Sequence, residues 1–246
     1  MEVHHHPQIE KKNLKEYFLE FLMIFLAVTL GFFAENIRET VADNSREKEF
    51  MKSMAEDLKS DSANMNAFYA RTNIAINQID SLIHLLRRSD REKYGQTMYY
   101  FARVITTLQG RFILMDRTYE EMKSSGALRL VNDEAISDSI SRYYASQNDF
   151  KEQAQLQIQK MSEYTNLAKK IFDGAVFQQM LKRFPYGVIA PSANPQLLTN
   201  DKATIDEFVG ALHYFSAILI INSSRAKQKG QSTIRLIEMI QEKYHL

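Results

Sequence analysis

Between Phe21 and Ala34 the chain carries no charged residue, and the run is rich in Phe, Leu, Ile, Val and Met. About 14 residues at ~1.5 Å each make roughly 21 Å of helix, short of a ~30 Å hydrocarbon core. Widening the window to Tyr17–Ile37 restores a full crossing. Its carboxylates Glu20 and Glu35 then fall near the two ends, where they reach headgroup water, and Tyr17 takes the interfacial position that aromatic rings favour. The exit Gly31-Phe32-Phe33-Ala34-Glu35 lacks the small-residue pattern of a cleavage site, since bulky Phe32 stands in it. Apolar residues also surround the axis instead of forming one stripe, unlike a soluble core helix. The pattern predicts an uncleaved anchor over residues 17–37, between a short tail (1–16) and a domain (38–246).

Lys11, Lys12 and Lys15 precede the anchor, and Arg38, Arg46 and Lys48 follow it, so local charge discriminates little. Long domains translocate largely regardless of charge, and a first anchor preceded by basic residues usually keeps its N-terminus inside. The expected arrangement is single-pass, with a cytoplasmic N-terminus and the C-terminal domain outside, periplasmic.

The domain that follows is long enough to bury a sizeable core. A formal charge of +1 gives no electrostatic footprint for nucleic acid or for acidic lipid, and the lack of cysteine excludes disulfides, thiolate zinc sites and cysteine nucleophiles. With 8 Gly and 4 Pro in 246 residues, and all prolines but Pro7 beyond residue 184, the composition is that of a helical protein.

A helical pattern runs from Lys11 to about Arg88. Past the anchor its apolar positions Phe50, Met51, Met54, Leu58, Met65, Phe68, Ile76, Ile79, Ile83 and Leu86 recur at spacings of three, four and seven, which place them on one stripe. Asp43-Asn44-Ser45 marks a break just outside the membrane. Ser89-Asp90 caps a second helix through Tyr94, Met98, Phe101, Ile105 and Leu108, ending near Gly110. A third helix covers Phe112–Ser124, with Gly126 as its left-handed cap and Leu128 over its end. Asn132-Asp133 begins a long helix reaching Phe172 through Ile136, Ile140, Tyr143, Phe150, Ile158, Met161 and Leu167. A proline-rich loop spans Pro185–Pro195, and Thr204 with Glu207 forms a capping box for a last helix to about Tyr244. Phe208–Ser224 is also uncharged, but at about 17 residues, with His213, Ser216 and Asn222 inside, it reads as a buried bundle helix. The expected fold is all-α: a transmembrane helix continuing into an antiparallel bundle of long helices.

Several landmarks coincide: Glu20, the apolar run, the exit Glu35-Asn36-Ile37-Arg38-Glu39, then Glu56-Asp57-Leu58, Thr118-Tyr119-Glu120-Glu121-Met122-Lys123-Ser124-Ser125-Gly126-Ala127-Leu128, Asn132 and Tyr143-Tyr144. In these the chain resembles an uncharacterised family of small single-anchor membrane proteins common in Bacteroidota. The resemblance covers roughly the first 150 residues, with Tyr119–Gly126 its most specific stretch. Relatives often carry a Trp just after the anchor, and this chain has none. The resemblance implies a membrane location and a helical domain, with no activity to transfer.

Candidate sites divide between chemistry and architecture. Glu20, an ionisable group at the edge of a span, is a candidate for self-association between anchors, against plain snorkelling to the interface. Tyr119, Glu120, Gly126 and Leu128 form a possible interaction motif, against a helix stop built on glycine. His4–His6 form a run in the tail, His84 and His213 stand singly on helices and fit packing positions better than ligand ones, and Glu242-x-x-His245 lacks the second pair a di-iron bundle needs. Arg87, Arg88 and Arg91 fit a helix C-terminus, whose dipole favours cations. Neither Gly-x-Ser-x-Gly, a phosphate loop nor His-Glu-x-x-His occurs. No catalytic, cofactor or metal residue is therefore assigned. The expected role is a membrane-anchored scaffold or interaction module acting on protein partners or on itself. The rivals are a receptor signalling through a separate partner and an enzyme with an unrecognised site acting on envelope components.

Overall fold

A computed structural model describes residues 13–107, 114–183 and 185–246. His4–His6, Leu108, Gly110 and Phe112 lie outside the described residues. The protein is all-α apart from one two-residue hairpin. Its elements are α1 (Leu14–Leu86), α2 (Gly95–Ile105), α3 (Arg117–Ser125), α4 (Glu134–Ala145), α5 (Gln147–Ile171), α6 (Gly174–Gln179), β1 (Leu181–Lys182), β2 (Gly187–Val188) and α7 (Lys202–Tyr244). The chain divides into two compact units, Met1–Glu49 and Phe50–Leu246.

In the first unit the chain enters α1 at Asn13, whose backbone N–H donates to Glu16 Oε2 at 3.1 Å, half of a capping box. The apolar run is exposed on every side, with Phe21 at 63%, Leu26 at 47% and Phe32 at 75% exposure. Its 18-residue window has a mean hydropathy of 2.1, none of it buried, so the helix is long and apolar enough to cross a membrane. The break expected at Asp43-Asn44-Ser45 does not occur, and α1 is helical through it. Asn and Ser inside a helix cost only tenths of a kcal/mol, and Arg46 reaches Asp43 one turn back at 4.0 Å.

The second unit is an up-down-up-down bundle. The α1 residues from Phe50 onward form the first leg, α2 and α3 the second, α4 with α5 the third and α7 the fourth. The contacts fix the directions: Met51 and Met54 share a cluster with Leu236 and Ile240, while Leu82 and Leu86 share one with Ile205 and Phe208. Of the stripe expected on α1, Met51, Met54, Leu58, Met65, Phe68, Ile79, Ile83 and Leu86 are buried, with Phe50 and Ile76 half-buried. Phe208, Leu212, Phe215 and Leu219 of α7 are buried, so the inner face of the uncharged Phe208–Ser224 stretch belongs to the core.

Two apolar clusters fill the bundle. The first gathers Leu82, Tyr99, Tyr164, Phe172, Phe208 and Phe215, and the second Met54, Leu58, Met122, Ile140, Leu236 and Ile240. Between them lies a polar layer: Asn222 Nδ2 donates to Gln157 Oε1 at 2.9 Å, and Ser223 Oγ to Asn73 Oδ1 at 3.4 Å.

The second leg departs most from expectation. Arg91–Tyr94 is a 3-10 turn and α2 starts only at Gly95. Asp90 caps nothing with its side chain and pairs instead with Arg88 at 2.8 Å. Tyr99 and Ala102 are buried alongside Met98 and Ile105, whereas Tyr94 and Phe101 are only half-buried, so the core face of α2 is rotated from the expected stripe. Leu114–Asp116 is not helical, and α3 begins at Arg117. The expected single helix from Asn132 to Phe172 is interrupted at Ser146, and Ile158 on it is 41% exposed. The last helix is capped by Asp201, which accepts from Thr204 N and Oγ1 at 2.8 Å each, so Thr204 is a donor and not the cap. His84 and His213 are exposed rather than packed.

Candidate functional site

Glu20 is half-buried in the first unit, within the exposed apolar run. The Tyr119–Leu128 motif lies in the second unit, at the end of α3. Gly126 sits there at φ 73° and ψ 10°, in the left-handed region that glycine enters without steric cost. Leu128 packs against the second cluster, while Glu120 is exposed and pairs with Lys123 at 3.7 Å. The tyrosine points inward: its ring stacks on Tyr144 with centroids 4.2 Å apart.

Around Tyr144 the structure gathers segments far apart in the chain. Asp57 of α1 accepts from Thr118 N at 3.1 Å and from Thr118 Oγ1 at 2.6 Å, with Arg117 Nη2 at 3.4 Å from its other oxygen. Asp116, the residue before α3, makes no side-chain cap bond, so the carboxylate satisfying this helix start comes from α1. One turn further along α1, Asp61 accepts from Met115 N at 2.9 Å and from Tyr143 Oη at 2.7 Å. Tyr144 Oη donates to Met115 O at 3.0 Å, so both polar groups of the Met115 backbone are held by side chains. Lys229 of α7 closes the group. Its Nζ donates to Tyr143 O and to Ser146 Oγ, each at 2.7 Å, and stands 3.7 Å from the centroid of the Tyr143 ring. A cation there suits the C-terminal end of α4.

Burial sets the electrostatics of this node. Asp61 is fully buried, and desolvation raises its carboxyl above the ordinary value of 3.8, against the opposing pull of its bonds from Tyr143 and Met115. Tyr143 and Tyr144 are pushed up by burial and by the Asp61 charge. The Lys229 ammonium is lowered to about 8 by burial, with Asp61 pulling the other way. Shifted titratable groups of this kind mark active sites as well as structural networks. Here the hydrogen bonds described for both aspartates come from the Met115 and Thr118 amides, the Thr118 hydroxyl, Arg117 and the Tyr143 phenol. As arranged, the node is a clamp that holds Met115–Thr118 to α1 and α4, with Lys229 of α7 bonded to the end of α4.

Three landmark segments read separately in the sequence, Asp57-Leu58, Thr118–Leu128 and Tyr143-Tyr144, thus meet in one place. Asp61 and Lys229 were not singled out. Asp57 and Asp61 sit four apart among Met54, Leu58 and Met65 on the apolar stripe of α1, and a carboxylate on a core stripe is the signal that points to them. Arg91 behaves as a C-terminal cation should, with Nη1 donating to Leu86 O at 3.3 Å. Among the described residues no group of three or more His, Asp or Glu side chains is placed to hold a metal ion.

Fold and site together define a helical-bundle protein with an exposed apolar N-terminal helix and a buried carboxylate–tyrosine clamp. Compared with protein-family models, with curated proteins and with solved structures, the chain matches none.

Proposed function

We propose that this is a single-pass membrane protein whose helical bundle is a binding module, a scaffold and not a catalyst, carried on the cell-envelope side of the bilayer. The landmark residues support placing it with the single-anchor proteins of Bacteroidota. The observation that carries the membrane assignment is the apolar window of α1, exposed over its whole circumference, where a soluble core helix would bury at least one face. Binding is favoured over catalysis because the buried Asp61 carboxylate and the Tyr143 hydroxyl are hydrogen-bonded to each other in the clamp. A surface for partners is present on α7, where Tyr214 and Ile221, two turns apart, are 70% and 43% exposed.

Carbonate extraction tests the anchor: the full-length chain stays with the membrane pellet, and its release into the soluble fraction would reject the assignment. C-terminal reporters active on only one side of the membrane test the orientation. A photo-crosslinking residue at Tyr214 or Ile221 in living cells tests the binding surface, with discrete protein adducts expected. Adducts no different from those at the exposed Lys52 would remove that surface from the proposal.

A further inference from the structure

Along α4, α5 and α7, Lys229 and Ser232 line both of two adjoining cavities of about 310 and 300 Å³. The first is lined by Arg225, Gln228, Lys229, Ser232 and Ser146, with Asp149 at its edge. The second is lined by Arg142, Arg235, Lys229, Ser139 and Ser232, together with Tyr143, Leu236 and Met239. Helical spacing aligns them: 225, 229, 232, 235 and 239 form one stripe on α7, and 139, 142, 146 and 149 another across the α4–α5 junction.

We propose that this channel binds a ligand bearing two phosphate-type oxyanions about 9 Å apart, one in each cavity. The spacing follows from the lining, because the centres of the two α7 stretches lie about six residues apart at ~1.5 Å of rise each. Each cavity has an arginine of its own from α7, and Arg142 adds a third across the second cavity. The planar guanidinium fork matches a tetrahedral oxyanion in two-point contact. Other cations of the bundle are neutralised: Lys160 by Glu163, Lys170 by Glu207 and Lys243 by Asp133. Among the described residues no carboxylate lies within ion-pair distance of Arg142, Arg225 or Arg235, and Asp149 is the only acid in the lining. Four cations against one carboxylate leave a local excess of positive charge in a chain that is nearly neutral overall. Lys229 contributes charge from below while its bonds to Tyr143 O and Ser146 Oγ hold it in place. This inference stands on the bundle alone and does not depend on the membrane assignment.

The test is calorimetric titration of the full-length chain, in a neutral detergent at low ionic strength, with hexane-1,6-diyl bisphosphate and with inorganic phosphate. Saturable binding of one bisphosphate is expected, at least about tenfold tighter than phosphate. Arg225→Gln and Arg235→Gln should each weaken it about tenfold, the loss of one charge-assisted contact, while Lys52→Gln on an exposed face of α1 changes nothing. Circular dichroism of the variants checks that the bundle is intact, since these arginines are exposed. Repeating the titration in nanodiscs distinguishes two sources of the same chemistry. If anionic phospholipid, but not phosphatidylcholine, competes with the bisphosphate, the oxyanions belong to lipid headgroups; equal binding in both assigns the channel to a soluble ligand. Absence of saturable binding, or binding that survives both arginine substitutions, would overturn the proposal.

Discussion

The helices of the bundle begin in two different ways. The starts of α4 and α7 carry their own caps: Asp133 accepts from Ile136 N at 3.1 Å, and Asp201 from Thr204 N at 2.8 Å. Those of α2 and α3, the two pieces of the second leg, are capped by residues far away in sequence. Asn194 Oδ1 accepts from Gln96 N at 2.9 Å, and Asp57 Oδ2 from Thr118 N at 3.1 Å. A local cap stabilises its own helix whether or not the rest is folded. A cap from elsewhere forms only when tertiary structure does, so it ties the stability of a short helix to that of the bundle. Helices as short as α2 and α3 are marginal alone, so this dependence on the rest of the bundle weighs heavily on the second leg.

Asp57→Ala should do the most to break that comparison. It leaves the buried Thr118 amide and hydroxyl without their acceptor, at a combined cost of about 3 kcal/mol. Urea unfolding measures the total, and hydrogen exchange at Met115 and Thr118 reports the opening of the clamp. A loss below about 1 kcal/mol would put Asp57 on a level with an ordinary local cap. Gly95→Ala is next, because a Cβ there would stand 2.0 Å from Pro195 O. The loop must move away and take Asn194 with it, costing about 2 kcal/mol, with faster exchange at Gln96 as the local sign. Asp201→Ala should cost only about 1 kcal/mol, because a local cap is lost at an exposed helix start. Fraying confined to the first turn of α7 is expected, and loss of protection as far as Phe208 would contradict the distinction.

The same division explains what the sequence made legible. The anchor-like run, the Gly126 stop, the Asp133 start and the apolar stripe of α1 depend on residues within one or two turns of each other, and pattern reading reaches that far. The caps of the second leg were not legible, because Asp57 and Asn194 lie 61 and 98 residues from the amides they satisfy. Asp90 looked like a cap because Ser-Asp before an apolar run usually is one, but an arginine two positions earlier binds its carboxylate. Thr204 misled in the same way: Asp201 lies three residues before it and is the stronger acceptor. Of the candidate site, Tyr119 and the Tyr143-Tyr144 pair stood out by type. The two aspartates were hidden in plain view on the α1 stripe, and Lys229 had no local signal at all.

The smallest effect expected is a pH dependence, and it sharpens the contrast by testing the long-range contact of Lys229, whose pKa is lowered by burial. Folded Lys229 has its pKa lowered to about 8 from 10.5, so between those values the unfolded chain binds the proton that the folded chain has released. Stability then rises with pH across this window. The buried tyrosines act in the opposite direction, because their raised pKa values keep them protonated above 10, where phenols of the unfolded chain ionise. Asp61 has the same sign as the tyrosines, with stability falling as pH climbs from 3.8 toward its raised folded value, well below the lysine window. Urea unfolding at pH 8 and at pH 9.5 should therefore show a gain of a few tenths to about 1 kcal/mol, reduced from the full shift because Lys229 is partly exposed. Lys229→Met, which keeps the stem but removes the charge, should abolish that gain. A gain that persists in the variant would assign the pH dependence to groups outside the clamp.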